Sequence, residues 1–165
     1  MKTGIESIKD WEILRPSFHK DIYSASPYQA WAVIVFAKLG SEYILANIPR
    51  RGWTVPSGRI EAGETPVDTA VRETWEEIGA RIRPEDLRYM GYYLVREESG
   101  GYATVPTYFV KLTNYGDVPV GSESLGTIQC PLENVRMLYW MWDALIESVF
   151  AIAEEYAKNV GIVDC

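Results

Sequence analysis

The sequence predicts an α/β fold in which a sheet is covered by two amphipathic helices. Three stretches carry that expectation. Residues 30–37, AWAVIVFA, are a near-continuous apolar run rich in β-branched and aromatic side chains, the pattern of a central strand buried on both faces. Residues 66–78 place Val67, Ala70, Val71, Thr74 and Ile78 on one helical side, and Glu73, Glu76 and Glu77 on the other. Residues 139–158 contain no Gly or Pro, and Met141, Leu145, Val149, Ile152 and Tyr156 recur there at helical spacing.

From the N-terminus, Trp11, Ile13 and Leu14 mark an element that packs, while Pro16 and Pro27 punctuate it. A short strand and an irregular arm are expected over residues 1–27. Leu39-Gly40-Ser41 turns the central strand back into a hairpin partner at Glu42–Ile48, which Pro49 ends. Residues 50–58, RRGWTVPSG, are expected as a loop from their Gly and Pro content. Thr65 is placed to cap the next helix, Pro66 suits its first position, and Asp68 favours the positive end of its dipole. Gly79 is its stop signal.

Arg83–Asp86 reads as a turn, and residues 89–96 and 102–112 as two strands joined by the loop at 97–101. Pro106 cannot donate to a ladder, so its strand is expected at an edge, bulged or interrupted there. A polar loop at 114–124 precedes a last short strand at 125–130, and Gly161 lies just past the expected end of the final helix. With no linker, repeat or low-complexity segment, residues 1–165 are expected to form one domain.

Bulk composition excludes several classes. Hydrophobic residues make up 47% of the chain and charged residues 24%, which suits a packed core and argues against disorder. The formal net charge of −7 gives no broad attraction for nucleic acid or an anionic membrane, so a phosphate-bearing ligand must be met by a local positive site or a metal. Cys130 and Cys165 lack zinc-site spacing, and two thiols in a reducing cytosol are expected. No signal pattern or membrane-spanning run is visible, so the expected location is the cytoplasm.

The chemistry concentrates at Gly58–Ala80, GRIEAGETPVDTAVRETWEEIGA. Glu73, Glu76 and Glu77 stand at i, i+3 and i+4, close enough to repel by ~0.2–0.5 kcal/mol per exposed pair. Such a cluster suits a hard divalent cation such as Mg²⁺, which takes oxygen ligands. Gly58, Gly63 and Thr65 mimic the spacing of a P-loop, but Glu64 stands where that motif needs Lys, and a carboxylate cannot hold phosphates in its place.

Gly58, Glu64, Arg72, Glu73, Glu76, Glu77 and Gly79 instead match G-x5-E-x7-R-E-U-x-E-E-x-G-U over all 23 positions, apart from Thr74 and Ala80 at the two bulky-aliphatic U positions. The stretch therefore resembles the Nudix box, and Trp53-x-x-Pro56-Ser57-Gly58 is similar to the W-x-x-P-G-G that precedes it, with Ser57 replacing a Gly. The resemblance implies an α/β/α sandwich, with a mixed sheet between the box helix and a C-terminal helix. It also implies hydrolysis of a pyrophosphate bond in a nucleoside diphosphate linked to another group, with Mg²⁺ or Mn²⁺.

By the same resemblance, Glu73, Glu76, Glu77 and the Gly58 carbonyl hold metal, and Arg72 orients a ligand glutamate. Glu64 either pairs with Arg72 or meets the metal through water. The general base is left open between Glu77 and Glu123, whose place before the last strand matches a glutamate many members use. Among substrates the reading favours a nucleoside triphosphate, intact or oxidised. ADP-ribose, dinucleoside polyphosphates, the 5′ end of RNA and a non-catalytic nucleotide sensor stay open as alternatives, as does a homodimer.

Outside the box, Arg50, Arg51 and Arg59 flank the loop as candidate phosphate contacts, against the simpler reading of solvated surface residues. Tyr28, Trp31, Tyr92, Tyr93, Tyr102 and Tyr108 are numerous enough for one or two to stack on a base, though most are expected in the core or on the sheet. His19 is expected to be ordinary.

Overall fold

The apolar run becomes the middle of the sheet: β2 (Ala32–Leu39) lies between β7 (Tyr102–Leu112) and β3 (Glu42–Ile48). The fold is seen in a computed structural model that describes residues 11, 14–20, 28–97 and 99–163, with side chains to residue 159. The remaining strands are β1 (Ser17–Lys20), β4 (Gly52–Thr54), β5 (Ser57–Arg59), β6 (Arg88–Arg96) and β8 (Thr127–Cys130). They run β1-β6-β7-β2-β3-β4, while β5 pairs with β2 and β8 with β3. Only β2 and β7 are parallel among these strand pairs, so the sheet is mixed as expected.

Helices cover both faces. On one, α1 (Pro66–Ile78) sets Ala70 and Ile78 against Val33, Val35, Ile44 and Val110. On the other, α3 (Ala144–Val163) sets Ile146, Val149, Phe150 and Ala153 against Phe36, Tyr43, Leu45 and Phe109. Phe150 is the hub of that layer, meeting Phe36 and Tyr43 edge to face at 4.7 and 5.1 Å. Lys38 is buried beneath α3 and survives there because Glu154 accepts from its ammonium at 2.8 Å. This is the predicted α/β/α sandwich.

Several expectations need correction. Residues 50–58 are not a plain loop: β4 pairs with β3 and β5 with β2, two three-residue strands too short to leave a periodic signature. The strand with Pro106 is internal, so of the expected edge, bulge or interruption it is irregular pairing that occurs there. Its missing donor is tolerated because pairing is irregular next to it: Pro106 still faces Tyr92 across the β6–β7 ladder, but both ladders shift register nearby. The β2–β7 register slips by one residue between Ala30↔Thr104 and Ile34↔Thr107, and β6 bulges between Tyr89 and Gly91.

The C-terminal helix starts at Ala144, not Tyr139, because Asp143 caps it through Oδ1 to the Ile146 N–H at 2.8 Å. An unanticipated helix, α2 (Leu132–Leu138), precedes it, and Gly161 lies inside α3. In the N-terminal region β1 is the short strand expected, and Trp11 is buried as expected. Ile13, the arm at 21–27 and Cys165 lie outside the described residues. Cys130 is a buried free thiol. His19 stacks on Tyr92 and shares a 3.0 Å hydrogen bond with Ser17.

Candidate functional site

The acidic helix is fixed at both ends. Thr65 Oγ1 accepts from the Asp68 N–H at 3.1 Å while Asp68 Oδ2 accepts from the Thr65 N–H at 2.9 Å, a reciprocal cap. Gly79 ends α1 at φ 69°, and a side chain there would run into the Gly116 and Asp117 carbonyls. Thr74, at a position the box reserves for an aliphatic, donates to the Ala70 carbonyl at 2.7 Å and so enters the apolar face satisfied.

Arg72 gathers the carboxylates around it. Its Nε and Nη2 clasp Glu64 at 2.7 and 2.9 Å, Nη1 reaches Glu73 at 2.8 Å and Glu76 at 3.1 Å, and Nη2 also donates to the Arg59 carbonyl. All five guanidinium donors are thereby used, which pins the ring in one plane. Glu64 therefore pairs with Arg72, and this contact holds its carboxyl down at about 2.

The three glutamates do not share one exposed face, which corrects the helical-wheel reading. Glu76 is 43% exposed, Glu73 only 12%, and Glu77 is buried at 1%. β5 explains the difference, because it passes over the helix and its Ser57 N–H donates to Glu77 Oε1 at 2.7 Å. Glu77 Oε2 has no partner at all. Burial raises the Glu77 carboxyl to about 8 and the Glu73 carboxyl to about 7, opposed by the Ser57 N–H for the first and by Arg72 for the second. Gly58 sits on the Glu73 carboxylate so closely that even a Cβ would collide with it.

Of the three glutamates, Glu73 lines a cavity of about 500 Å³, a size that suits a small organic ligand. Gly58, Glu61, Glu73 and Glu123 line the rim together with Arg50, Arg51 and Arg59. Arg51 donates to Ser57 Oγ at 3.4 Å, and the Arg59 guanidinium lies 5.7 Å from the Trp31 ring centre. Glu123 reaches the rim because its loop is docked on α1: Ser122 Oγ donates to the Glu76 carbonyl at 2.5 Å. The inner wall is apolar, with Trp11, Trp31, Val105 and Met141 among its residues, and it lies on the face covered by α3. Of the tyrosines singled out in the sequence, Tyr93 lines this cavity, while Tyr28, Tyr92 and Tyr108 line a small cleft elsewhere and Tyr102 packs on Tyr28.

The cavity thus joins an acidic rim, a loop glycine pressed on a glutamate and an aromatic inner wall. Residues 28–143 match the NUDIX domain family. The chain belongs to the Nudix family. A Bacillus subtilis relative, provisionally named an 8-oxo-dGTP diphosphatase, is 35% identical over 79 residues, which is 48% of this chain and 47% of that protein. The chain thus spans about half the length of that relative. An asymmetrical bis(5′-nucleosyl)-tetraphosphatase of Caenorhabditis elegans is 32% identical over 64% of this chain and 80% of its own. In fold, a pyrophosphohydrolase from Bacillus subtilis superposes with a TM-score of 0.71 over 86% of this chain and 90% of its own, at 22% identity.

Nudix hydrolases generally use a divalent metal, and the donor set here fits one. Glu77 Oε2 is a buried acceptor with no proton donor, and the desolvated Glu73 carboxylate lies on the same helix, both hard oxygen ligands. Among the described residues no three acids form a ready cage, since Glu73 and Glu76 lean on Arg72 and Glu77 turns to Ser57. Sequence reasoning did not single out Ser57 as a hydrogen-bond donor, nor Trp11 as a cavity residue. Their part depends on strand pairing and side-chain packing, which no spacing along the chain reports.

Proposed function

We propose that the protein is a divalent-cation-dependent pyrophosphohydrolase acting on a nucleoside triphosphate, intact or oxidised. What carries the reading is one juxtaposition: Glu73, Gly58 and Glu123 share a cavity rim with Arg50, Arg51 and Arg59, and the same cavity ends in aromatic walls. A polyphosphate suits the first region and a planar base the second.

Glu73, Glu76, Glu77 and the Gly58 carbonyl would hold Mg²⁺ or Mn²⁺. When bound, the ion neutralises pyrophosphate charge and lowers the pKa of a ligated water. The chain's own residues do the rest. Arg72 holds Glu73 and Glu76 in register through one nitrogen, a positioning role. Arg51 and Arg59 meet phosphate oxygens at the rim, with Arg50 beside them. Glu123 is the better placed base, since Glu77 is sealed under Ser57. Water oxygen attacks a phosphorus, Glu123 takes its proton, the bridging P–O bond breaks, and the leaving phosphate or pyrophosphate departs.

The C. elegans relative gives a dinucleoside polyphosphate specific support as a second substrate. Phosphate or pyrophosphate release from nucleoside triphosphates, diadenosine tetraphosphate, ADP-ribose and 5′-triphosphorylated RNA, in Mg²⁺ and in EDTA, tests the reading. Turnover in Mg²⁺ only is expected, and no turnover of any substrate would sink it. Glu76→Gln should lower the rate about 100-fold or more while shifting stability by only ~0.5 kcal/mol, because this side chain is half open to solvent.

A further inference from the structure

The connection between β7 and β8, residues 113–126, forms no helix or strand, yet it is tied to the rest of the fold at three places. Near its start the Gly116 N–H donates to the Gly79 carbonyl at 2.9 Å. At its end the Leu125 N–H donates to the Asn47 carbonyl at 2.8 Å, and the Gly126 carbonyl accepts from the Asn47 N–H at 2.9 Å. Between these ties, Ser122 Oγ donates to the Glu76 carbonyl. The last carbonyls of a helix lack partners within it, and Glu76 lies in the last turn of α1. The hydroxyl that satisfies this one comes from the residue next to Glu123.

Both neighbours of Glu123 are serines whose hydroxyls are engaged with backbone. Ser122 Oγ also accepts from the Ser124 N–H at 3.0 Å, so one oxygen joins the loop to itself and to α1. Ser124 Oγ donates to the Gly126 carbonyl at 3.2 Å. Glycines flank the segment, Gly121 at φ 91° and Gly126 at φ 140°, so serine hydrogen bonds rather than backbone stiffness set its position. Ser122 and Ser124 are half-buried, while Glu123 between them is exposed and lines the cavity rim. Its charge reaches Glu73 and Glu77, adding to the burial that raises both.

We propose that Ser122 is a positioning residue, whose hydroxyl latches the loop to the C-terminal end of α1 and so fixes where Glu123 stands relative to the acidic helix. This rests on the reading of Glu123 as general base given above. The test is a double-variant cycle on the nucleotide that the wild type turns over best in Mg²⁺. Ser122→Ala should lower kcat about tenfold with KM kept within about twofold, since the arginines and cavity walls are untouched. Its melting temperature should fall by about 2–4 °C, because the Glu76 carbonyl loses its donor. Glu123→Gln should lower kcat about 100-fold. Adding Ser122→Ala to Glu123→Gln should change kcat no further, because a latch without its base has nothing to place. Ser124→Ala cuts the tie to Gly126 and leaves Ser122 on Glu76, so it runs the same cycle with a smaller loss if Ser122→Ala fails to fold.

Unchanged kcat in Ser122→Ala, or a loss that persists in full beside Glu123→Gln, overturns the latch while wild-type hydrolysis upholds the enzyme reading. Wild-type kcat in Glu123→Gln shows that another group takes the proton, and the latch falls with the base. No turnover by the wild type sinks the enzyme reading itself and this proposal with it.

Discussion

Glu64 shows how one side chain's titration becomes a stability statement. Its carboxyl is held near 2 by Arg72, below its ordinary value near 4.5, so the folded state binds its proton less tightly than the unfolded chain does. The stabilisation is present in full above about pH 4.5 and fades as pH falls towards 2. Glu64→Gln should therefore lower stability at pH 7 by ~1–3 kcal/mol and flatten the acid limb, as read by urea unfolding between pH 3 and 7. Gly58 makes a different point. Its value is the absence of a Cβ against the Glu73 carboxylate. Gly58→Ala should displace Glu73 and cut turnover about 100-fold, with loss of cation binding by calorimetry; retained wild-type binding would show that the close contact relaxes freely.

At the scale of elements, sequence signals worked where a segment's own chemistry sets its shape. β3 covers Glu42–Ile48 and β7 Tyr102–Leu112, the bounds expected from alternation and turn residues. The acidic helix starts where Thr65, Pro66 and Asp68 place it. Because the Thr65 cap is local, its worth is predictable: Thr65→Ala should cost ~1 kcal/mol and lower the melting temperature by about 2–4 °C, with activity kept. Signals failed where distant chain decides. Residues 139–143 carry helical spacing yet stay non-helical, since Trp140 donates to the Trp53 carbonyl and Tyr139 packs on Phe150. The Asp143 cap was the one visible clue to the true start.

For the whole molecule, the buried carboxylates make cation binding and folding one equilibrium. Glu73 and Glu77 are pushed up by burial, and a divalent ion that binds only the folded protein would relieve both. Mg²⁺ at about 100 times its dissociation constant should raise stability by ~2.7 kcal/mol in a thermal melt, and Glu76→Gln should remove most of that gain. By itself the sequence determined the family, the central strand, the capped acidic helix and the acids and arginines of the candidate site, because each is written in local spacing and side-chain type. Only the tertiary structure decided how open each acid is. Glu73, Glu76 and Glu77 look equivalent along the chain and differ in space, because β5 folds over one end of the face and seals Glu77 beneath Ser57. The same holds for Trp11 and Tyr93, 82 residues apart in sequence and brought edge to edge by packing against the sheet.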